Sequence, residues 1–375
     1  MTALDHEPMP RSPAKRRGLH QWLMRRIADP GFQSWASRFP LTKRASRKDG
    51  ERLFDLVSGF AYSQTLLACV ELGLFEALEQ EPATPEQLAH KLGLAPDRMR
   101  LLCQAAAGLD LIQRRGESYR LSRLGAASLG VPGLLDMIRH HAVFYRDLAD
   151  PVALLRGETQ PELAEFWPYV RGESATEIPG QQASTYSDLM AQTQGLVAEE
   201  TLRTVSLSKV TKLMDVGGGT GAFLRAVRAH YPSLDLALFD LPPVIEVARA
   251  HVADHRIEPL GGSFHEALPT GADAISLVRV LYDHSDDTIA ELLAKVFKAL
   301  PSGGRLIISE PMSGGDAPTR AGDVYFALYT MAMTTGKARS ADEICGMLAA
   351  QGFENMKKHS APRPFLTSCI TAIRP

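Results

Sequence analysis

The chain has 375 residues, of which 45% are hydrophobic and 22% charged, so it can form two or more globular domains and is not a disordered or fibrous protein. Its formal net charge of −2 excludes a strongly basic polyanion binder, although residues 1–52 hold twelve Lys and Arg against five Asp and Glu, a net +7 that leaves −9 for the rest. The four cysteines are scattered, which excludes a disulfide scaffold. The sequence has no run of about 18 consecutive apolar residues, as a membrane span needs, and no apolar run after the first basic residues, as a secretory signal needs. We therefore expect a cytoplasmic protein.

The first 50 residues form a basic arm. Residues 1–18 are rich in Pro, Lys and Arg, a composition typical of disorder. Apolar residues then recur at helical spacing over residues 19–27 and, after the break DPG, over residues 32–39. Basic amphipathic helices of this kind can lie on an anionic membrane surface. We give more weight to an arm docked on its partner subunit or on its own core, because exposed aromatic side chains usually meet protein.

Residues 51–130 predict a helical domain with a winged-helix outline. Residues 51–80 predict one long helix that is apolar on nearly all sides and therefore buried. Thr84, followed by Pro85 and Gln87, has the pattern of an N-cap and capping box, and a second helix and a hairpin around RRGES follow. A winged helix can bind DNA, but the second helix, PDRMRLLCQAAAGL, is mostly apolar. We therefore expect a structural or dimerisation role and no nucleic-acid partner.

The second half of the chain predicts an α/β fold. Residues 131–205 predict helices interrupted by Pro and Gly. From residue 206 to 375, the apolar runs KLMDV, LALFDL, AISLVRVL and GRLIISEP end in polar residues and alternate with helical stretches. This alternation is typical of a parallel sheet with crossover helices. The last segments, FENMKKH and SCITAIRP, predict an antiparallel hairpin at the edge of the sheet.

A glycine-rich loop follows the first of these strands. The strand ends at Asp215, and residues 217–221 read GGGTG, which allows a ligand to approach the backbone closely. Nicotinamide cofactors use similar turns, and a tight turn without a ligand is the plainer alternative. S-adenosylmethionine is favoured because Asp215 can face an ammonium group and Asp240, at the end of the next strand, can accept hydrogen bonds from two ribose hydroxyls. The antiparallel C-terminal strand also suits a methyltransferase.

With these residues, the chain resembles the S-adenosylmethionine-dependent O-methyltransferases of the caffeate and hydroxyindole type over about residues 51–375. The resemblance implies a Rossmann-like class I methyltransferase sheet preceded by an all-helical winged-helix dimerisation domain, and hence a homodimer. The chain would divide into an arm (1–50), a dimerisation domain (51–130), a helical acceptor-pocket segment (131–205) and a catalytic domain (206–375).

Longer stretches are similar to the carotenoid tertiary-alcohol O-methyltransferases of purple phototrophic bacteria, which act on hydroxyneurosporene and demethylspheroidene. These stretches are RRIADPGFQSWASRFPLTKRASR, FDLVSGFAYSQTLLACVELGLF, HHAVFYRDLADPVALLRG, ISLVRVLYDHSDD and GDVYFALYTMAM. The resemblance implies a lipophilic acceptor.

The family resemblance also implies roles for residues that bind the methyl donor. Gly217 and Gly219 would hold the methionine moiety, and Asp240 would hold the ribose. The adenine-bracketing motif GDFF or GDMF of the family reads GGSFHE here. Ser263 therefore replaces an acid, while Phe264 can still face the adenine ring.

The catalytic motif of the family is altered in this chain. Many relatives have a His-Asp-Trp sequence, in which the histidine removes a phenol proton between two glutamates. Here the segment reads LYDHSDD, with Tyr282 at the histidine position and His284 at the tryptophan position. Glu310 keeps the first glutamate, and Ala338 replaces the second.

An alcohol acceptor fits this loss better than a phenol does. No side chain that titrates near neutrality could ionise a tertiary alcohol beforehand, whereas a phenol has a pKa of about 10. Alignment of the oxygen, methyl carbon and sulfur can instead lower the barrier by about 7–11 kcal/mol. We expect Tyr282 to orient the acceptor and His284 or Glu310 to accept its proton. A histidine with only a surface or capping role is the plainer alternative for His284.

Four further residues are candidates for the acceptor pocket. His140 and His141 precede FYRDL in an apolar helix, Met190 lies where the family has a substrate-facing methionine, and Met331 lies in the apolar segment VYFALYTMAM. Ordinary core packing is the alternative for the methionines. The histidines lack metal-ligand spacing, so we expect no catalytic metal.

These patterns predict a methyltransferase that acts on the tertiary hydroxyl of an acyclic carotenoid. A bacteriochlorophyllide C-methyltransferase, which also has Tyr at position 282, and a phenolic or polyketide O-methyltransferase are the alternatives with the same fold. A winged-helix regulator that senses a ligand is the alternative outside the enzymes. The basic arm is the segment that could place the cytoplasmic protein on a membrane surface.

Overall fold

The computed structural model describes residues 14–166 and 193–375. The candidate Met190 lies outside the described residues. The arm contains the two expected helices, α1 (Ala14–Ile27) and α2 (Pro30–Ala36). Asp29 caps α2 by accepting a hydrogen bond from the Phe32 amide at 2.8 Å, as short acidic side chains do at helix starts. Because α1 begins at Ala14, the prediction of disorder up to residue 18 is wrong for its last five residues.

The helical domain follows the arm and includes one small hairpin. Its elements are α3 (Lys43–Glu71), α4 (Leu74–Gln80), α5 (Pro85–Leu92), α6 (Pro96–Gly108), β1 (Ile112–Arg115), β2 (Ser118–Leu121), α7 (Arg123–Gly130) and α8 (Leu134–Asp147). The capping box at Thr84 and Gln87 is confirmed, and so is the hairpin. Helix α6 turns Met99, Cys103 and Ala106 into the core of this domain, which agrees with a packing role.

The prediction of a single buried helix over residues 51–80 is wrong. Gly73 has a φ of +69°, a conformation that glycine adopts without strain, and it separates α3 from α4. Only the C-terminal end of α3 is buried, at Cys69 and Val70. Five large apolar residues of α3 are between 63% and 75% exposed in the single chain: Leu53, Phe54, Leu56, Val57 and Phe60. We call these five residues the α3 stripe.

Helix α3 is also the one helix of the described segments that is long and apolar enough to cross a membrane, by length and composition alone. The expectation of no span was based on uninterrupted apolar runs, which α3 lacks. The core helix of a soluble protein can have the same length and apolar content. The C-terminal end of α3 packs on α4, α6 and α8.

Three helices lead from α8 to the sheet: α9 (Pro151–Leu155), α10 (Glu162–Phe166) and α11, whose described part covers 193–204. The sheet has seven strands: β3 (Lys212–Val216), β4 (Asp235–Asp240), β5 (Ile257–Gly261), β6 (Ala274–Val278), β7 (Arg305–Glu310), β8 (Glu354–His359) and β9 (Ser368–Ile373). Their spatial order is β5-β4-β3-β6-β7-β9-β8. The four strands predicted from apolar runs are confirmed, as is the antiparallel pairing of β8 with β9 at the edge.

Helices cover both faces of this sheet. They are α12 (Ala222–His230), α13 (Pro242–Val252), α14 (Asp286–Ala299), α15 (Ala327–Ala332) and α16 (Ala341–Ala350), with a π-helix at Arg320–Phe326 directly before α15. Two apolar cores lie against the sheet. The strand order reverses between β3 and β6, and in sheets of this kind the crevice beyond the carboxyl ends of such strands binds ligands. Asp215, Asp240 and Glu310 all lie at that edge.

Candidate active site

The glycine turn after β3 is tight on one side and open on the other. Gly217, Gly219 and Gly221 have φ values of +70°, +58° and +77°. A Cβ on Gly218 would lie 2.4 Å from Leu238 Cδ1 and 2.5 Å from Asp215 Oδ2, so only glycine fits against the strands. A Cβ on Gly219 would meet nothing within 4 Å. The turn therefore exposes its backbone to open space, where a ligand can approach it.

Asp215 is a buried carboxyl with one unsatisfied oxygen. Its Oδ1 accepts a hydrogen bond from Ser276 Oγ at 2.6 Å, while its Oδ2 is buried and has no hydrogen-bond partner in the described part of the chain. Burial raises the pKa of Asp215 to about 7, against the lowering effect of Ser276 and with a further rise from Asp240. A buried acceptor without a donor suits a ligand that brings a cationic donor.

Asp240 holds the glycine turn and keeps acceptor capacity. Its Oδ2 accepts from the Gly219 amide at 2.8 Å and its Oδ1 accepts from the Leu241 amide at 2.7 Å. Burial raises the pKa of Asp240, and these two amides oppose the rise. Each carboxylate oxygen has a second lone pair, so two hydroxyls of a ligand can still donate to Asp240.

Phe264 and His284 face each other next to β5. Their ring centroids are 5.1 Å apart at an interplanar angle of 79°, and Ser263 Oγ accepts from the His265 amide at 3.2 Å. Burial, followed by the charges of His265 and Arg339, lowers the pKa of His284 to about 4. His284 is therefore a neutral ring beside the residue expected to face adenine. His284 thus lies where the sequence predicts the adenine.

Glu310 and Tyr282 occupy the position of the altered catalytic motif. Glu310 Oε1 accepts from the Val280 and Leu281 amides, both at 2.8 Å, and burial raises the pKa of Glu310 to about 7. Tyr282 is 3% exposed, and its Oη accepts from an Arg279 guanidinium nitrogen at 3.2 Å. Burial raises the pKa of Tyr282 far above its ordinary value. Tyr282 is therefore a neutral hydrogen-bonding group at neutral pH.

Three further residues of this cluster were not predicted from the sequence. Arg279 has a φ of +58°, an unfavourable conformation of the kind that concentrates at functional sites. Asp283 Oδ1 is shielded and lacks a hydrogen-bond partner among the described residues, and burial together with Glu310 raises the pKa of Asp283 well above its ordinary value. Arg339 is 2% exposed and donates to the carbonyls of Leu281 and His284, both at 2.8 Å.

The available signals for these residues were weak. Arg279 and Asp283 flank Tyr282 in the sequence. Charged residues directly after an apolar strand can indicate a functional site. Arg339 follows Ala338, the residue that replaces the second glutamate. Its hydrogen bonds to backbone carbonyls could not be predicted, because every residue has a carbonyl and the sequence does not show which ones a side chain meets.

Two His–Tyr pairs join α8 to the π-helix and to α15. His140 Nε2 lies 2.7 Å from Tyr329 Oη, and His141 Nε2 lies 2.7 Å from Tyr325 Oη. Burial lowers the pKa of His140 to about 4, with a contribution from His141, and burial also lowers the pKa of His141. Met331 packs on the small apolar cluster that contains Tyr329. The structure thus brings three of the four predicted pocket residues together.

The sheet, its glycine turn and its buried acids together define the class of protein. A seven-stranded sheet of this order, a glycine cradle at its reversal point and acids after two adjacent strands define a class I methyltransferase fold with a helical N-terminal domain. Within residues 14–166 and 193–375, no group of three or more His, Cys, Asp or Glu side chains is placed to hold a metal ion.

The chain belongs to the O-methyltransferase family. The model of the O-methyltransferase domain matches residues 145–354, and the model of the O-methyltransferase dimerisation domain matches residues 54–145. The predictions of a dimerisation domain, of a homodimer formed through it and of an S-adenosylmethionine-dependent O-methyltransferase are confirmed. The alternative of a ligand-sensing regulator is wrong.

Curated relatives and solved structures support this assignment. The chain is 51% identical over 364 residues to the demethylspheroidene O-methyltransferase of Cereibacter sphaeroides, with 96% of each chain covered. It is 54% identical over 338 residues to that of Rhodobacter capsulatus, covering 90% of this chain and 85% of the relative. The crystal structure of human N-acetylserotonin methyltransferase in complex with SAM has the same fold, with a TM-score of 0.72 and 22% identity over 87% of this chain and 97% of that one.

Proposed function

We propose that this enzyme methylates the tertiary hydroxyl of an acyclic hydroxylated carotenoid during carotenoid biosynthesis. The observation that carries the proposal is Tyr282, a buried neutral phenol bonded to Arg279 at the position where the family has its base. Relatives that are 51% and 54% identical carry the name demethylspheroidene O-methyltransferase. The names of these relatives and the lost base support the same chemistry, because an alcohol gains nothing from a base that works only on phenols.

The donor-binding residues fit S-adenosylmethionine. We propose that Asp215 Oδ2 pairs with the ammonium of its amino-acid part, that Gly217 and Gly219 receive its main chain, and that Asp240 accepts from its two ribose hydroxyls. Phe264 and His284 would face the adenine, with Ser263 as a weaker polar neighbour than the acid of the family. The bound donor supplies an electrophilic methyl group on a positively charged sulfur.

The residues of the chain contribute alignment and exclusion of water. We propose that Tyr282, fixed by Arg279, orients the acceptor hydroxyl, while His140, His141 and Met331 border an apolar acceptor pocket. Such alignment supplies about 7–11 kcal/mol when the reacting atoms are held in line. Glu310 is one candidate to accept the proton at the end of the reaction, whereas His284, the other candidate, lies against Phe264 on the side proposed for the donor. The product oxygen is by then strongly acidic, so a weak acceptor suffices.

A panel of acceptors tests the proposed function. Purified enzyme is incubated with methyl-labelled S-adenosylmethionine and with a hydroxylated acyclic carotenoid, a bacteriochlorophyllide or a catechol. We expect label in the carotenoid ether and little label in the other two acceptors. Methylation of the bacteriochlorophyllide or the catechol, with none of the carotenoid, would overturn the proposal in favour of the corresponding alternative enzyme.

Donor binding should depend on pH through Asp215. The carboxyl has a pKa of about 7 in the free protein and must be ionised to pair with an ammonium, so lowering the pH through 7 protonates it and weakens binding. The affinity should fall by up to about tenfold per pH unit below about pH 7, the limit for one proton. Calorimetry between about pH 6 and about pH 8 measures this slope. The Asp215→Asn variant should bind more weakly above pH 7 and lose the slope; a slope that persists would exclude this carboxyl as its origin.

Two substitutions test the alignment mechanism. Tyr282→Phe removes the hydroxyl that orients the acceptor, and Glu310→Gln removes a proton acceptor while keeping a carbonyl for the Val280 and Leu281 amides. Each should lower kcat by about 10- to 100-fold without abolishing turnover, because most of the rate comes from alignment. Single-turnover measurements with the accepted carotenoid check this. A loss beyond about 10⁴-fold from either change would show essential acid–base chemistry instead.

We propose a cytoplasmic location with peripheral membrane contact through the arm. On α1, Trp22 is 58% exposed and Leu19 is 68% exposed, and Arg25 and Arg26 end the same helix. An exposed apolar face beside basic residues suits the surface of an anionic bilayer, where a carotenoid would be stored. The four-part division of the chain at residues 50, 130 and 205 is likewise a proposal.

Flotation with liposomes tests the arm. Full-length enzyme should float with anionic phospholipid vesicles and remain behind with neutral ones, and high salt should weaken flotation because ionic strength screens surface charges. The Arg25→Glu, Arg26→Glu variant and a chain that begins at residue 43, where α3 starts, should both lose flotation. Recovery of the full-length protein in the unbound fraction with anionic vesicles would end the membrane proposal.

A further inference from the structure

The π-helix before α15 turns one tyrosine toward α8. Tyr325 lies in this π-helical turn, and its Oη is 2.7 Å from His141 Nε2. The two rings meet edge to face at 5.4 Å and 86°. Isolated π-helical turns often lie at functional sites, and here the turn produces a directed hydrogen bond between two elements far apart in sequence.

The neighbouring pair, His140 with Tyr329, has the same chemistry in a closed environment. His140 is 8% exposed and Tyr329 is 4% exposed, whereas His141 and Tyr325 are only partly buried. The two pairs therefore consist of the same side chains and differ in how far these are exposed. The His141–Tyr325 pair is the more exposed of the two.

Arg279 connects the accessible pair to the catalytic position. Burial raises the pKa of Tyr325 to about 12, and the positive charge of Arg279 opposes that rise, so the guanidinium is within electrostatic reach of the phenol. The same guanidinium donates to Tyr282 Oη at 3.2 Å. The charge of Arg279 thus acts on both phenols, and its guanidinium contacts Tyr282 directly.

The proton acceptors suggested by the family motif are less accessible. Glu310 is 1% exposed and uses Oε1 to hold two amides of the turn. His284 lies against Phe264 on the donor side. Tyr282 Oη already accepts from Arg279. The partly buried pair is the better placed group to receive a proton from an acceptor in the apolar pocket.

We propose, resting on the proposed function, that Tyr325 is a catalytic residue that receives the proton of the methylated acceptor and passes its own proton to His141. The acceptor oxygen forms a bond to the methyl carbon while the carbon–sulfur bond breaks and its electron pair stays on sulfur. The protonated ether oxygen then gives its proton to Tyr325 Oη as the Tyr325 hydroxyl proton moves to His141 Nε2. The resulting imidazolium releases a proton to water, which restores the neutral pair.

His141 must be neutral for this relay, with its Nε2 free to accept. Burial favours that form, because it lowers the pKa of His141. The titratable groups that surround the pair in the described segments are His140 on the same helix, Tyr329 on α15 and Arg279 after β6. His140 is neutral near pH 7, because burial lowers its pKa to about 4.

The test compares variants of the two pairs across a range of pH. Tyr325→Phe and His141→Gln should each lower kcat for the hydroxycarotenoid by about 10- to 100-fold, and the double variant should lose no more than either alone, because the two act as a unit. Tyr329→Phe is the matched control, since it removes the same hydroxyl from the buried pair. It should change kcat by less than about threefold, within the range of indirect packing effects.

The kcat of the wild type divided by the kcat of His141→Gln, measured across a range of pH, distinguishes a proton relay from a structural role. Titrations of Asp215 and Glu310 affect both enzymes and cancel in this ratio. The ratio should be constant above pH 7 and fall toward one as the pH drops below the ordinary titration range of histidine, because the wild-type ring then becomes protonated. A ratio that does not vary with pH, or an equal loss in Tyr329→Phe, would overturn the relay. Absence of wild-type turnover with the carotenoid would overturn the proposed function and the relay together, whereas normal turnover with a constant ratio would overturn the relay alone.

Discussion

Asp240→Ala is expected to weaken the binding of S-adenosylmethionine by about 10²- to 10⁴-fold, the largest effect of any single change at the donor site. Two hydrogen bonds from ribose hydroxyls to a carboxylate are worth about 1.5–3 kcal/mol each, and each 1.4 kcal/mol is a factor of about ten. The alanine variant also leaves the Gly219 and Leu241 amides without their acceptor. The glycine turn would then lose the group that holds it in place.

Calorimetry with S-adenosylmethionine measures this loss, and two variants calibrate it. Asp240→Asn keeps one acceptor oxygen and should give an intermediate loss. Asp235→Ala changes an exposed acid at the opposite end of the same strand and should leave the dissociation constant unchanged. If Asp240→Ala bound the donor as well as the wild type does, or if the wild type bound a pyridine dinucleotide in preference, the assignment of this carboxylate to the ribose would be wrong.

Introducing aspartates into the α3 stripe is expected to convert the homodimer into monomers. Leu56 and Phe60 are 75% and 69% exposed in the single chain, and they lie one helical turn apart within the segment that matches the dimerisation domain. Burying such a side chain contributes about 1.5–3 kcal/mol. A two-fold interface contains each residue twice, so the Leu56→Asp, Phe60→Asp variant loses at least about 6 kcal/mol. This corresponds to a dimer dissociation constant more than about 10⁴-fold higher.

Light scattering coupled to gel filtration reports the mass directly. Asp55→Lys is the matched control, because it makes an equally large change of charge on the opposite face of α3 by helical spacing and should leave the dimer intact. Circular dichroism shows whether the aspartate variant keeps its helices. A folded variant that remains dimeric would show that the α3 stripe lies outside the subunit interface.

The sheet edge that we propose for the donor could be predicted from the sequence because its signals are local. A run of apolar residues that ends in Asp215 before glycines specifies a strand, a turn and a ligand-facing edge within a few positions. Asp240 follows from the same rule one strand later, since the carboxyl ends of adjacent parallel strands meet at one edge. The structure places both acids there, and it adds the hydrogen bond between Asp240 and Gly219.

The acceptor side could be predicted only in part because its contacts join distant segments. His141 was recognised as a pocket candidate, but its partner Tyr325 is 184 positions away. The apolar character of α3 was evident as well, yet composition does not reveal whether a helix is buried in its own domain or against another subunit. The break at Gly73 was missed because an isolated glycine is tolerated within many helices.

Arg339 holds a turn that carries residues proposed for both the acceptor and the donor. The turn it holds carries Tyr282 on the acceptor side and His284 on the donor side, and Arg339 bonds the carbonyls of Leu281 and His284. Any redesign that shifts this turn to admit a different acceptor would also displace the ring beside Phe264 and impair loading of the methyl donor. Engineering of a new specificity should therefore begin on α8 and α15, whose side chains we propose to border the acceptor.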